Sequence, residues 1–269
     1  VISIFAYEFF RNALIAGLLA SVACGVIGTY VVVRRMVSLS GGVSHAAFGG
    51  IGLGYYLGLD PILSATVFTV AVALGMGELS LRQRQNLDTI IGAVWAAGMA
   101  LGILFVYLTP GFAPDLFGYL FGNILLVPRE DLILMGALVA VILLVVALFF
   151  RDLFAVTFDE EYARVMNLPV ERISLLLLVL VALTVVMLIQ VVGIILVIAL
   201  LTIPAAIARE FSSRLGLMMA LAVALGAVFT VSGIVLSYLL NVPSGATIIL
   251  VAAGVYGAVM GARTLFPRD

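Results

Sequence analysis

His45 is the only histidine of the chain, and it stands in one of its most apolar settings, after Ser-Gly-Gly-Val-Ser and before Ala-Ala-Phe-Gly-Gly-Ile-Gly-Leu-Gly. An ionisable side chain inside a hydrophobic span is costly and marks a pathway or a ligand contact. Neutral imidazole is also a common transition-metal ligand. A histidine that only packs and bonds a carbonyl is the alternative. Gly42, Ala46, Gly50, Gly54 and Gly58 recur every four residues beside it. A helix here carries a stripe of nearly bare backbone that another helix can approach closely. Other chemistry is sparse. The single cysteine, Cys24, lies in an apolar run, which excludes a disulfide framework and a cysteine metal cluster. A lone histidine without a neighbouring acid or cysteine does not make a zinc-hydrolase site. No G-x-x-x-x-G-K-[ST] loop for nucleotide phosphates is present. Asp60 and Asp115, in predicted loops, could offer oxygen ligands to a cation near a pathway mouth.

The longest polar stretch is FDEEYARVMNLPVER, residues 158–172. Asp159 can cap a helix whose first turn holds Glu160 and Glu161, favourable at the positive end of the helix dipole. Asn167 is placed to close that helix in a left-handed cap, and Pro169 stops it. The spacing predicts a short helix over about 158–168, with Ala163 on one side and charges on the other, suited to docking a partner. Residues 110–130 are too apolar for an ordinary loop and too broken by Gly and Pro for a clean span. They predict a short re-entrant or interfacial helix whose backbone is covered by protein or faces a water-filled cavity.

The elements that position these residues follow from composition. Of 269 residues, 65% are hydrophobic and 10% charged, and the mean hydropathy is +1.33. A soluble domain is nearer half apolar and a quarter charged. The chain is therefore read as an all-α, polytopic membrane bundle, a single transmembrane domain over 1–269 in contact with lipid. The net charge of −1 gives no electrostatic case for nucleic acid. The N-terminal VISIFAYEFFRN lacks the basic start of a cleavable signal peptide. Segments of roughly 20 apolar residues can cross a bilayer. Nine are predicted, at about 10–33, 39–58, 61–79, 89–109, 131–150, 172–189, 191–208, 215–237 and 246–262, with eight or ten allowed if a tight junction is misread.

Every basic residue is arginine. With nine spans and the N-terminus outside, Arg34, Arg35, Arg82, Arg84, Arg151, Arg164, Arg172, Arg209, Arg214, Arg263 and Arg268 fall on one side and only Arg11 and Arg129 on the other. Cytoplasmic loops collect arginine, so the larger group is placed inside, with the C-terminus. The outer loops, with Asp60, Asp115, Glu130 and Asp131, are mildly acidic, which suits a cationic substrate.

Five stretches, in order along nearly the whole chain, resemble the ABC-3 metal permeases, membrane subunits of bacterial and archaeal zinc and manganese importers. They are RRMVSLSGGVSHAAFGGIGLG, LDTIIGAVWAAGMALGI, DLFGYLFGNIL, FDEEYARVMNLPV and VVGIILVIALLTIPAAIAR. The resemblance implies a cell-membrane permease that works with a second copy of itself, two cytoplasmic ABC ATPases and an extracytoplasmic metal-binding protein. It implies no permanently bound cofactor and no ATPase site of its own, only a transported divalent metal ion. It carries His45 over as a residue of the translocation path, and Phe158, Asp159, Glu160, Ala163, Arg164 and Asn167 as the segment that contacts the ATPase. The chain departs from the pattern at Gly41, where relatives often have an acid, at Glu160 in place of Pro, and at Asn167 in place of Gly. An imidazole without that acid favours zinc over manganese or iron, because manganese prefers hard oxygen donors. A secondary transporter or channel is the competing class. It would ordinarily need carboxylates at depth or an internal repeat, and neither is evident.

Overall fold

The computed structural model describes residues 7–82, 87–111, 116–122 and 124–265. Among them are twelve α-helices, one short 3₁₀ turn at Ile124–Leu126 and no strand. Eight helices are long and apolar enough to cross a membrane. They are α1 (Glu8–Val33), α3 (Pro61–Arg82), α4 (Leu87–Leu108), α6 (Arg129–Leu148), α9 (Val170–Val192), α10 (Ile194–Phe211), α11 (Leu215–Leu240) and α12 (Ser244–Leu265). The ninth expected span corresponds to α2 (Val37–Leu57), which has spanning length but too little apolarity to be counted with them. Its composition explains this: six of its 21 residues are glycine, and polar Ser38, Ser40, Ser44 and His45 interrupt the rest. Fourteen of the 21 are buried within the chain. A helix surrounded by protein need not be apolar toward lipid.

Small residues set the spacing of the bundle. On α1, a Cβ on Gly28 would lie 2.0 Å from the Leu201 carbonyl oxygen of α10. One on Gly25 would lie 2.6 Å from the Val223 backbone nitrogen of α11. Ser21 Oγ and Thr230 Oγ1 meet at 3.3 Å across the α1–α11 seam. Close backbone approach of this kind supplies packing that lipid-solvated helices cannot obtain from the hydrophobic effect.

Between α4 and α6 the chain forms α5 (Leu116–Phe121) and the 3₁₀ turn. Gly122, at φ +66°, lies back to back with Gly193, at φ +79°, where α9 ends and α10 begins; a Cβ on either would overlap the other's backbone. The expected short helix within 110–130 is thus present, and its end at Phe121 and Gly122 packs against the junction of α9 and α10. After α6, two short helices follow, α7 (Phe150–Phe158) and α8 (Glu160–Val165), before α9.

Candidate translocation path and coupling helix

His45 lies in the middle of α2, half-buried at the seam with α4. That seam has no slack. A Cβ on Gly52 would sit 2.4 Å from the Gly102 carbonyl oxygen, and one on Gly98 would sit 2.6 Å from Ala46 Cα. Two α4 side chains one helical turn apart close on the imidazole. The Trp95 indole stacks on it with centroids 4.1 Å apart and planes inclined by 16°. Met99 Sδ lies 3.4 Å from Nδ1. Neither neighbour stood out in the sequence, because an aromatic and a methionine on an apolar helix read as ordinary packing. Their i, i+4 spacing on α4 could have suggested a shared face, but only the register of α4 against α2 brings that face to His45.

The glycine stripe is engaged within the chain. Gly50 faces Ala65 and Phe68, Gly54 faces Pro61 and Ser64, and Gly42 faces Met76 of α3 and Ile91 of α4. Ala46 is fully buried beneath Gly98. Gly42, Ala46, Gly50 and Gly54 of the stripe are thus covered by α3 and α4 of the same chain. Gly58 ends α2 in the left-handed conformation, at φ +67°, with no atom near its missing side chain. Gly41 is different. A Cβ there would meet only Trp95, at an ordinary 3.7 Å.

Asp60 does not join His45. Its carboxylate accepts the Leu63 N–H at 2.8 Å and caps α3. It stands fifteen residues beyond His45, and the helical part of that path, from His45 to Leu57, alone spans about 18 Å at a rise of about 1.5 Å per residue. The cap is ordinary N-terminal chemistry, so Asp60 and His45 do not form one site. Asp115 lies outside the described residues. Among the described residues, no group of three or more His, Cys, Asp or Glu is arranged to hold a metal. At the same end of the bundle as Asp60, Tyr55 Oη and Tyr119 Oη are 2.8 Å apart, linking α2 to α5.

At the opposite, arginine-rich end, α8 is capped at both termini. Asp159 accepts the Tyr162 N–H at 2.8 Å. Asn167 adopts φ +57°. Leu168 donates to the Ala163 carbonyl, and Asn167 donates to that of Arg164, both at 3.0 Å. This pair of bonds is a Schellman closure, which needs a left-handed residue that Asn supplies at little cost. Ala163 is fully buried, whereas Phe158, Asp159 and Arg164 are exposed. Phe150, Phe154 and Phe158 form an exposed aromatic stripe along α7, with centroids 6.4 and 4.8 Å apart in sequence.

Glu160 does more than favour a helix start. Its carboxylate pairs with the Arg34 guanidinium at 2.5 Å, and the same guanidinium donates to Ser174 Oγ of α9 at 3.1 Å. Burial pulls Arg34 down from its ordinary pKa, and the charge and hydrogen bond of Glu160 oppose that shift. Beside this contact lies a cavity of about 520 Å³, lined by Arg34, Ser38, Ser80, Asp88, Glu160 and Ser174 among others. Ser38 is two helical turns from His45 along α2, about 10 Å. The cavity has ample room for water, at about 30 Å³ per molecule.

Residues 6–262 match the ABC 3 transport family. The chain belongs to this family. As a member of the ABC 3 transport family it is a multi-pass protein of the cell membrane. It is 50% identical to an uncharacterised membrane protein of Synechocystis over 93% of this chain and 89% of that one. It is 36% identical to the manganese transport system membrane protein MntC of Halalkalibacterium halodurans, over 93% and 86%. The fold superimposes on a chain of PsaBC from Streptococcus pneumoniae in complex with Fab, with TM-score 0.83 and 34% identity, covering 94% of this chain and 91% of that one.

Proposed function

We propose that this protein is the permease of an ATP-driven importer of divalent transition-metal ions, with manganese as the cargo. Membership of the ABC 3 transport family over almost the full chain carries this reading. The cargo is taken from relatives named as manganese systems, which are 33–36% identical over most of their length. The zinc preference inferred from Gly41 finds no support in these relatives. Manganese binds N and O sites most weakly among the first-row divalent ions, and a site on a conduction route must release its ion as well as bind it. A half-buried imidazole meets that need without a carboxylate beside it.

In this reading the ATPase is a separate subunit that docks on α7 and α8, and the exposed Phe158, Asp159 and Arg164 meet it. Glu160 and Ala163 hold the segment to the bundle, and Asn167 ends it. A soluble protein delivers the ion at the opposite end. A second copy completes the route, meeting this one across the α2–α4 face, where Trp95 is 42% exposed. His45 handles the ion between the two ends.

Proteoliposomes holding the permease with its ATPase and binding protein test the whole reading. Manganese uptake should require ATP and all three components, and His45→Ala should abolish it while basal ATP hydrolysis persists. Uptake by the permease alone, driven by an ion gradient, would instead assign it to the secondary transporters.

A further inference from the structure

We infer that Met99 and Trp95 are positioning residues that hold His45 as its Nδ1–H tautomer, leaving the Nε2 lone pair as the ring's ligand atom. The inference rests on His45 as the ion-handling residue, and it adds how the imidazole is made ready.

The chemistry of sulfur decides the direction. A thioether has no hydrogen to give and acts only as a weak acceptor. Met99 Sδ lies 3.4 Å from Nδ1 of His45, so in the neutral ring Nδ1 must be the donor. A neutral imidazole carries one N–H, and Nε2 is then left with its lone pair. A ring with the opposite tautomer would set two lone pairs against each other at this distance, with nothing between them.

The ring is also held in plane. The Trp95 indole covers one face of it at 4.1 Å and 16°. Turning the imidazole over by a half-turn, to exchange Nδ1 with Cδ2, would keep the ring in the same plane against the indole but lose the contact of Nδ1 with sulfur. Trp95 and Met99 are four residues apart, so both project from one face of α4. Gly98 between them presses on Ala46, and Gly102 presses on Gly52. These close backbone contacts set the register of α4 against α2, and with it the place of the two side chains against His45.

Metal-binding histidines generally donate their second ring N–H to an oxygen acceptor, which fixes the tautomer and raises ligand basicity. Here a thioether takes that place. Sulfur accepts more weakly than a carboxylate, so it fixes the ring with little added basicity, which suits an ion that must leave again.

Because the chain has one histidine, ring-¹⁵N labelling of the tag-free protein in nanodiscs gives one pair of nitrogen signals. In the full permease at a pH where the ring is neutral, Nδ1 should be protonated and Nε2 bare. Met99→Leu keeps the volume and removes the acceptor, and should move the ring toward Nε2–H. Met99→Gln supplies a carbonyl acceptor but also an N–H donor, and should give a mixture of tautomers between the leucine variant and the wild type. In manganese uptake by the assembled transporter, Met99→Leu should raise KM by about tenfold at a nearly unchanged maximal rate, and Met99→Gln should recover part of the loss. A wild-type Nε2–H signal would overturn the inference, since Nδ1 and sulfur would then be free to bind an ion together. An unchanged tautomer in Met99→Leu would overturn it as well. If the wild type shows the Nδ1–H tautomer but moves no manganese, the transport reading fails and the positioning of the ring stands.

Discussion

Arg34 and Glu160 are 126 positions apart and meet at 2.5 Å. The first closes α1, the central helix of the bundle, and the second opens α8, the short helix at the arginine-rich end. The pair therefore ties the proposed docking element to the core of the permease. Arg34 is only 10% exposed, so its charge has few solvent contacts to fall back on.

Removing the acid should therefore cost more than removing both partners. Hydrogen bonds to charged groups contribute about 1.5–3 kcal/mol, and a buried charge left without its partner adds a further penalty. Glu160→Gln should lower the melting temperature of the detergent-solubilised permease and weaken the link between ATP hydrolysis and uptake. Arg34→Gln combined with Glu160→Gln should be less destabilised than the sum of the single changes. Strictly additive melting shifts in this double-mutant cycle would show that the ion pair contributes nothing.

Two glycines of α2 should respond oppositely to a single methyl group. At Gly52 a Cβ would lie 2.4 Å from the Gly102 carbonyl oxygen of α4, whereas at Gly41 its nearest neighbour is 3.7 Å away. Gly52→Ala should separate the helices and destabilise the bundle by about 1–3 kcal/mol, as overpacking of a filled core does. Gly41→Ala should express and melt like the wild type. Equal behaviour of the two variants, read by thermal melting and by yield of folded protein, would contradict the tight α2–α4 seam.

Sidedness can be read with single cysteines. Cys24 is buried and is the only native thiol, so Cys24→Ala gives a silent background. Arg164→Cys lies at the exposed end of α8 and should resist a membrane-impermeant thiol reagent in intact cells. Glu130→Cys, at the start of α6, should react. The reverse labelling pattern would invert the orientation drawn from the arginines.

The helices were legible in the sequence because each needs only a local signal. Runs of about 20 apolar residues gave the spans, and Asp159, Asn167 and Pro169 gave the ends of α8, since capping is settled within a few residues. What was not legible depends on register between distant segments. The four-residue repeat from Gly42 to Gly58 announces a helix that can be approached closely, but not by what, and the occupants are α3 and α4 of the same chain. Glu160 read as a residue suited to a helix start because its partner lies near the beginning of the sequence. Asp60 read as a loop carboxylate beside Pro61 that could offer oxygen to a cation, and only the fold shows that it also caps α3 through the Leu63 N–H. Met99 and Trp95 gave no signal against an apolar background.

The polarity of α2 bears on how the protein is made. A segment entering the bilayer by itself is selected by its own apolarity, and α2, with its glycines, serines and histidine, is the helix of spanning length that falls short. Its following partner is close at hand. Only Gly58, Leu59 and Asp60 separate it from α3, and Gly50 and Gly54 already fit against Ala65, Ser64 and Pro61. The helix that carries His45 thus depends on delivery as a hairpin, with the more lipophilic α3 drawing it in during biosynthesis. The feature that makes room for chemistry in the finished bundle is the same one that makes its insertion a cooperative act.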